Sequence, residues 1–281
     1  MSVIELNKVE EIEQDDVVLL GICCDHNSSF MRGPAEAPEQ IRKALFCGSA
    51  NLSSELGVSI RNNCRFKDIG DFAIAETDQG YLNISLYIED VLNQGAIPLT
   101  LGGDHAITYP ILVAMAKKYS NINILHFDAH LDIYPKFEGN PFSHASPFAR
   151  IMESELASKL VQVGIRTLNT TQQKQVDKYN VEVTEMRHFN LENFNPEFNG
   201  PVYISLDIDA LDPAFAPGVS HFEPGGLTVR DVLTIIQRID MPIIGADIVE
   251  YNPRRDVNNM TAMVGAKLLK EIAGKMLTLA I

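Results

Sequence analysis

The most constraining feature of this chain is a recurring unit. A short, continuous apolar run is followed by a polar cluster and then by a stretch with helical periodicity. The runs are Val17–Cys23, Ile97–Leu101, Ile122–Phe127, Leu160–Gly164, Val202–Ile208 and Ile243–Ile248. They are rich in Val, Ile and Leu and barely alternate, as strands covered on both faces do. Between them, Ile84, Ile88, Val91 and Leu92 share one helical face, with Gly95 as a stop. Ile107, Ile111, Leu112 and Met115 share another, with Pro110 in the first turn. Thr228 and Asp231 read as a capping box ahead of Val232, Leu233, Ile235, Ile236 and Ile239. A last helix is expected from about Thr261 to Met276. Strand–helix alternation over a whole chain predicts an α/β fold: a parallel sheet with helices on both faces, or a (β/α)8 barrel. No linker or composition shift breaks the pattern, so a single domain over residues 1–281 is expected.

Composition narrows the functions. With 46% hydrophobic and 21% charged residues, the chain is too apolar for disorder and too polar for a membrane protein. Its longest apolar run, Val17–Cys24, is far short of the ~20 residues of a membrane span. Lys and Arg number 23 against 37 Asp and Glu, a net charge of -14. Such a surface repels phosphate backbones and anionic lipid, so no nucleic acid or membrane partner is expected; a cationic small molecule or a metal suits it better. Cys23, Cys24, Cys47 and Cys64 form no C-x-x-C pair and read as buried, reduced thiols. The N-terminus carries Glu5, Lys8, Glu10 and Glu11 without an apolar core, so no signal peptide and a cytoplasmic location are expected.

Four strand ends carry the chemistry. Ile97–Leu101 runs into Gly102-Gly-Asp-His105, and Ile122–Phe127 into Asp128-Ala-His130-Leu-Asp132. Val202–Ile208 contains Ser205-Leu-Asp207-Ile-Asp209 and is followed by Leu211-Asp-Pro213; Ile243–Ile248 leads to Glu250-Tyr-Asn-Pro253. Residues two apart on a strand face the same way, which pairs Asp128 with His130 and Asp207 with Asp209. Carboxyl ends of parallel strands form the ligand crevice, so the clusters are expected to converge there. Bare carboxylates packed that closely would repel and protonate, and a bound cation removes the conflict. Carboxylates with two imidazoles suit a hard or borderline ion such as Mn²⁺. The donors suffice for two ions, and a water shared by two ions titrates near neutrality, so the residues point to metal-assisted hydrolysis. A lone D-x-H-x-D would read as a solvated turn, and a lone Gly-Gly as a tight turn; three such motifs plus Glu250 at a fourth strand end do not. His126, on the face of Asp128, reads as a buttress rather than a ligand. His26, His188 and His221 lack metal-like spacing and are expected in loop packing.

At these residues the chain resembles the ureohydrolases: arginases, agmatinases and their relatives. The segments Gly102–His105, Asp128–Asp132 and Ser205–Pro213 look like the three metal signatures of that family, and the likeness runs over nearly the full length. The resemblance implies a three-layer α/β/α fold with a parallel, mostly doubly wound sheet. It also implies two Mn²⁺ per subunit, with His105 and Asp132 on one ion, His130 and Asp209 on the other, and Asp128 and Asp207 bridging. Activated water would attack a guanidinium carbon to release urea and an amine. Glu250 matches the glutamate that pairs with the guanidinium, as paired charge-assisted hydrogen bonds favour. His144, in Ser143-His-Ala-Ser-Pro147, matches the histidine that shuttles protons to the leaving amine, a task suited to a near-neutral group. It sits in a long loop, about residues 133–146, that leaves directly from the metal motif.

Longer stretches, including His26–Phe30, Glu138–Asn140, Phe148–Met152 and Ala214–His221, look most like plant-type arginases and their bacterial relatives. The resemblance therefore implies L-arginine as substrate first, with agmatine or another guanidino compound second. Tyr134 stands where animal arginases have an Asn that contacts the substrate carboxylate, and Thr167, Leu168 and Asn169 stand where they have acids for the α-amino group. Asn140 and Ser143 are the expected contacts to the substrate tail. The family also implies a homo-oligomer, trimer or hexamer. Two other readings compete. A dinuclear phosphoesterase would need Arg or Lys in the metal motifs, which supply carboxylates instead. A non-catalytic metal- or guanidine-binding regulator would be expected to have lost ligands or His144, and all are present.

Overall fold

The computed structural model describes residues 11–61 and 63–279; Glu5, Lys8 and Glu10 lie outside them. The strands are β1 (Val17–Cys23), β2 (Phe66–Ala73), β3 (Ile97–Leu101), β4 (Asn123–Phe127), β5 (Lys159–Ile165), β6 (Glu182–Glu185), β7 (Val202–Asp207) and β8 (Ile243–Val249). They form one sheet in the order β2-β1-β3-β8-β7-β4-β5-β6, and every pairing is parallel. This open, doubly wound sheet excludes the barrel. The six inner strands match the apolar runs to within a residue or two. No apolar run marks β2 or β6. Both are edge strands that carry charge (Lys67, Asp68 and Asp71 on one; Glu182 and Glu185 on the other) and bury little, as edges must to avoid pairing with other chains.

The α-helices are α1 (Ala37–Leu45), α2 (Asp78–Leu82), α3 (Ile84–Asn93), α4 (Thr108–Lys118), α5 (Pro147–Glu153), α6 (Thr170–Tyr179), α7 (Val229–Arg238) and α8 (Met260–Thr278). Alternate strand residues feed two cores. Val17 and Leu19 of β1 pack on the side of Ile41, Ile236 and Ile272, which belong to α1, α7 and α8. Val18, Leu20 and Ile22 pack on the opposite side with Ile88, Ile111 and Phe148 of α3, α4 and α5. Two apolar faces on one sheet make three layers. Thr228 caps α7 as expected: its side chain accepts from the Asp231 N–H, and the Asp231 carboxylate accepts from the Thr228 N–H. None of the described helices is long and apolar enough to cross a membrane.

The winding order positions the site. The chain leaves β3 at the third place in the sheet and re-enters at β4 in the sixth; β8 and β7 fill the gap later. The carboxyl ends of these four central strands carry His105, Asp128, Asp207 and Glu250. That gap is the topological switch point where open α/β sheets bind ligands.

Candidate metal centre and active site

His105 opens a 3-10 turn after β3. Gly103 makes this possible, because a Cβ there would lie 1.7 Å from the Cys24 carbonyl oxygen. That same carbonyl accepts the Asp104 N–H, fastening the first loop of the chain to the end of β3. The His105 ring is fully buried, and its Nδ1 lies 3.2 Å from Asp128 Oδ2, 3.1 Å from Asp132 Oδ2 and 3.2 Å from Asp207 Oδ2. The other ring nitrogen fixes the tautomer. Nε2 lies 3.0 Å from Ser205 Oγ, and that hydroxyl donates to Asp247 Oδ1 at 2.7 Å, so its oxygen accepts from Nε2–H. Thr108 and Tyr203 donate to the other oxygen of Asp247. Nδ1 therefore offers a lone pair to three carboxylate oxygens, and it forms no hydrogen bond to any of them. A ring nitrogen facing three carboxylate oxygens in a buried space suits a cation at their centre.

A second group adjoins the first. His130 Nδ1 lies 3.1 Å from Asp209 Oδ2 and 3.3 Å from Asp128 Oδ1. Asp128 thus belongs to both clusters, His105–Asp128–Asp132–Asp207 and Asp128–His130–Asp209. Backbone N–H groups pin one oxygen of each of three acids: His130 to Asp128, Asp209 to Asp207, and Ala129 to Asp209. Electrostatics records the crowding. Burial, then the charges of Asp209 and Asp128, push Asp207 well above the usual carboxylate range. Burial and Asp128 also raise Asp132. Burial acts upward on Asp128 too, but contacts with His105, His126 and His130 outweigh it and hold that acid well below the usual range. The donor set, two imidazoles and four carboxylates around one shared acid, fits a pair of divalent ions.

His126 occupies a different position. The Gln162 amide donates to its Nδ1 at 2.9 Å and to the Leu131 carbonyl at 2.7 Å. Nε2 therefore carries the proton and donates it to Asp128 Oδ2 at 3.0 Å. His126 orients the shared acid, as hydrogen-bond partners of metal ligands do.

Glu250 and His144 complete the inner end. Glu250 follows β8 with φ 62, and Asp132 has φ 47. Such left-handed conformations cost an ordinary residue about 1–3 kcal/mol and concentrate at functional sites. The twist brings Glu250 Oε1 to 2.9 Å from the His105 N–H and 2.8 Å from His144 Nδ1. Among the described residues no hydrogen bond reaches Oε2, which remains open to the cavity. Burial pulls His144 down, but the charge and hydrogen bond of Glu250 outweigh it and raise the imidazole to about 9. The loop carrying His144 is ordered by a tight turn in which Phe137 and Asn140 exchange backbone hydrogen bonds, with Glu138 and Gly139 both at positive φ.

These groups line a cavity of about 200 Å³. Its inner wall is His130, Asp132, His144, Asp207, Asp209 and Glu250, and its outer wall is Tyr134, Phe137, Thr167 and Gln172. The expected tail contacts, Asn140 and Ser143, do not line it. The Asn140 amide donates to Asn27 Oδ1, and Ser143 Oγ accepts the Ala145 N–H, so both bind within the loop framework. His221 corrects the sequence expectation: its ring faces His144 and His130 at centroid distances of 5.5 and 5.6 Å and lines the cavity. His188 is exposed and His26 partly exposed, away from the cavity wall. The cysteines are free, but only Cys24 is buried; Cys23 and Cys47 are partly exposed and Cys64 is exposed.

Comparison with known proteins agrees with this geometry. The profile described as Arginase family matches residues 15–274. The chain is 49% identical over 273 residues to "Arginase 1, mitochondrial" of Arabidopsis thaliana, covering 92% of this chain and 80% of that protein. It is 34% identical over 279 residues to "Guanidinobutyrase" of Pseudomonas aeruginosa, covering 93% and 86%. The solved structure of arginase from Medicago truncatula superposes with a TM-score of 0.87 at 44% identity, covering 93% of this chain and 87% of that one. A three-layer fold, convergent metal motifs and matches at this level have one meaning: this chain belongs to the arginase family.

Proposed function

We propose that this protein is an arginase, a hydrolase that cleaves the guanidino group of L-arginine to give L-ornithine and urea. Its likeness to proteins named arginase supports that choice over other guanidino compounds. The observation that carries the chemistry is the buried Nδ1 of His105, a lone pair enclosed by three carboxylates. His105 and Asp132 would hold one ion and His130 and Asp209 the other; Asp128, common to both groups, would serve both, and Asp207 is taken to do so as well. Two Mn²⁺ held there would supply Lewis acidity and a water that is nucleophilic at neutral pH.

The chain's own residues do the rest. Glu250 Oε2 receives the planar guanidinium in charge-assisted hydrogen bonds, while its Oε1 stays fixed by the His105 N–H. His144, bonded to the same carboxylate, would protonate the leaving amine. Agmatine is the second reading, and the outer wall favours it. No Lys or Arg among the described residues lines the cavity to meet a carboxylate, and the nearby Arg166 is engaged by five carbonyl oxygens. The reading also takes residues 1–281 as one domain that assembles as a homo-oligomer, trimer or hexamer. Urea release from L-arginine, agmatine and 4-guanidinobutanoate, compared as kcat/KM with Mn²⁺ added, tests it. The highest value with arginine is the expected outcome, and no urea from any of the three would refute the activity.

A further inference from the structure

His144 contacts three groups whose roles follow from which atom can carry a proton. Nδ1 faces Glu250 Oε1 at 2.8 Å; an ionised carboxylate only accepts, so Nδ1 keeps its proton in every charge state of the ring. The proton that comes and goes is therefore the one on Nε2. That atom faces Ser29: Oγ lies at 2.7 Å, and the Ser29 N–H points at it from 3.2 Å. When the ring is cationic, Ser29 Oγ accepts from Nε2–H. When it is neutral, the hydroxyl and the backbone N–H both donate to the Nε2 lone pair. A hydroxyl is the one neighbour that serves both states without moving.

The position of Ser29 is built rather than incidental. The loop bearing it is tied down on both sides: the Asn27 N–H and the Ser28 hydroxyl donate to the fully buried Asp104, and Met31 O accepts from Ser220 Oγ and the Asn252 amide. His144 N–H in turn donates to Asn27 O, which locks the two loops together. Ser29 is exposed and also lines the cavity, so the residue stands between the buried imidazole and solvent.

We propose that Ser29 is a positioning residue that fixes His144 with its exchangeable proton on Nε2 and relays that proton to and from solvent. The balance is simple. Once Nε2 has given its proton to the leaving amine and the ammonium has departed, its emptied lone pair accepts the Ser29 Oγ–H proton, and Oγ takes one from a hydronium ion of the solvent, which leaves as water; the ring returns to its cationic state and Ser29 to its hydroxyl. This role rests on the hydrolytic reading given above.

The test compares Ser29→Ala and Ser29→Thr in the manganese-loaded enzyme. Alanine keeps the fold and the backbone N–H but removes the relay, so kcat for urea release should fall about tenfold to a hundredfold with KM nearly unchanged. Threonine restores the hydroxyl and should recover most of that loss, and the solvent deuterium isotope effect on kcat should be larger in the alanine variant than in the other two. A raised KM at constant kcat in Ser29→Ala, or threonine as slow as alanine, overturns the relay. Wild-type protein in the same assay separates the two ideas. If it releases urea while Ser29→Ala matches it, the relay alone falls; if it releases none from any guanidino compound, the hydrolytic reading falls and takes the relay with it.

Discussion

At the inner end of the cavity, acids and imidazoles stand at the ends of four central strands, and backbone N–H groups hold Asp128, Asp207, Asp209 and Glu250 in place. At the outer end, Tyr134 and Phe137 come from a loop, Thr167 from the turn after β5 and Gln172 from the first turn of α6; none carries charge. The inner end is rigid because groups on strands are placed to within a fraction of an ångström by the sheet. The outer end is free to vary because loops change without disturbing a core. Reaction and selectivity are thereby separated: one fold can keep its chemistry while its outer wall chooses the tail.

The separation breaks hardest at Asp128, the acid common to both candidate metal clusters. Asp128→Asn should abolish two-metal occupancy by elemental analysis and lower urea release about 1000-fold or more. Two ions per chain in that variant would contradict the shared role. Glu250→Gln acts on the substrate instead. It keeps the metal content but loses the ionic partner of the guanidinium, so kcat/KM should fall about 100-fold. A fall shared equally by every guanidino compound would place Glu250 with the reaction; a fall confined to one of them would place it with the tail.

This division also sets what the sequence can reveal. The inner donors lie two residues apart on strands, so Asp128 with His130 and Asp207 with Asp209 announce a common face, and the parallel sheet announces where the strand ends meet. The outer wall has no such period. Asn140 and Ser143 sit close to His144 in sequence, yet the tight turn at Phe137–Asn140 and the bond to Asn27 engage Asn140, Ser143 Oγ takes the Ala145 N–H, and neither lines the cavity. His221 arrives from a loop joined to the first one by Ser220 and Met31, a contact between residues 189 positions apart that no local pattern encodes. Gln172 is legible only as a helix cap, since its Oε1 accepts the Asn169 N–H; its burial against the cavity is a tertiary fact. The edge strands β2 and β6 stayed hidden for a related reason, because their charged residues cancel the apolar signal.

A smaller effect sharpens the comparison from behind the metal cluster. Ser205→Ala removes the acceptor that holds the proton of His105 on Nε2, and leaves Asp247 with one donor fewer. Nothing that touches substrate changes. Manganese affinity, measured by titration into metal-stripped protein, should weaken about 10–100-fold, with activity restored at saturating metal. An unchanged affinity would mean that the tautomer of His105 is not fixed by this chain of hydrogen bonds.

The smallest effect belongs to the outer wall, and Gln172→Glu isolates it. Glutamate at the third position of a helix serves a capping box as well as glutamine and suits the positive end of the helix dipole, so α6 should be undisturbed. The substitution adds one negative charge to a wall that has none. Agmatine presents an ammonium there, 4-guanidinobutanoate a carboxylate, and arginine both. The ratio of kcat/KM for agmatine over 4-guanidinobutanoate should therefore rise about tenfold, roughly 1.4 kcal/mol, with arginine in between. The change should appear in the ratio and leave the metal content alone, because Gln172 lines the outer wall and bonds none of the candidate metal-binding acids. If the ratio stays fixed while metal content holds, the substrate tail does not run along α6, and the wall formed by His221 and the Ser29 loop becomes the side that selects it.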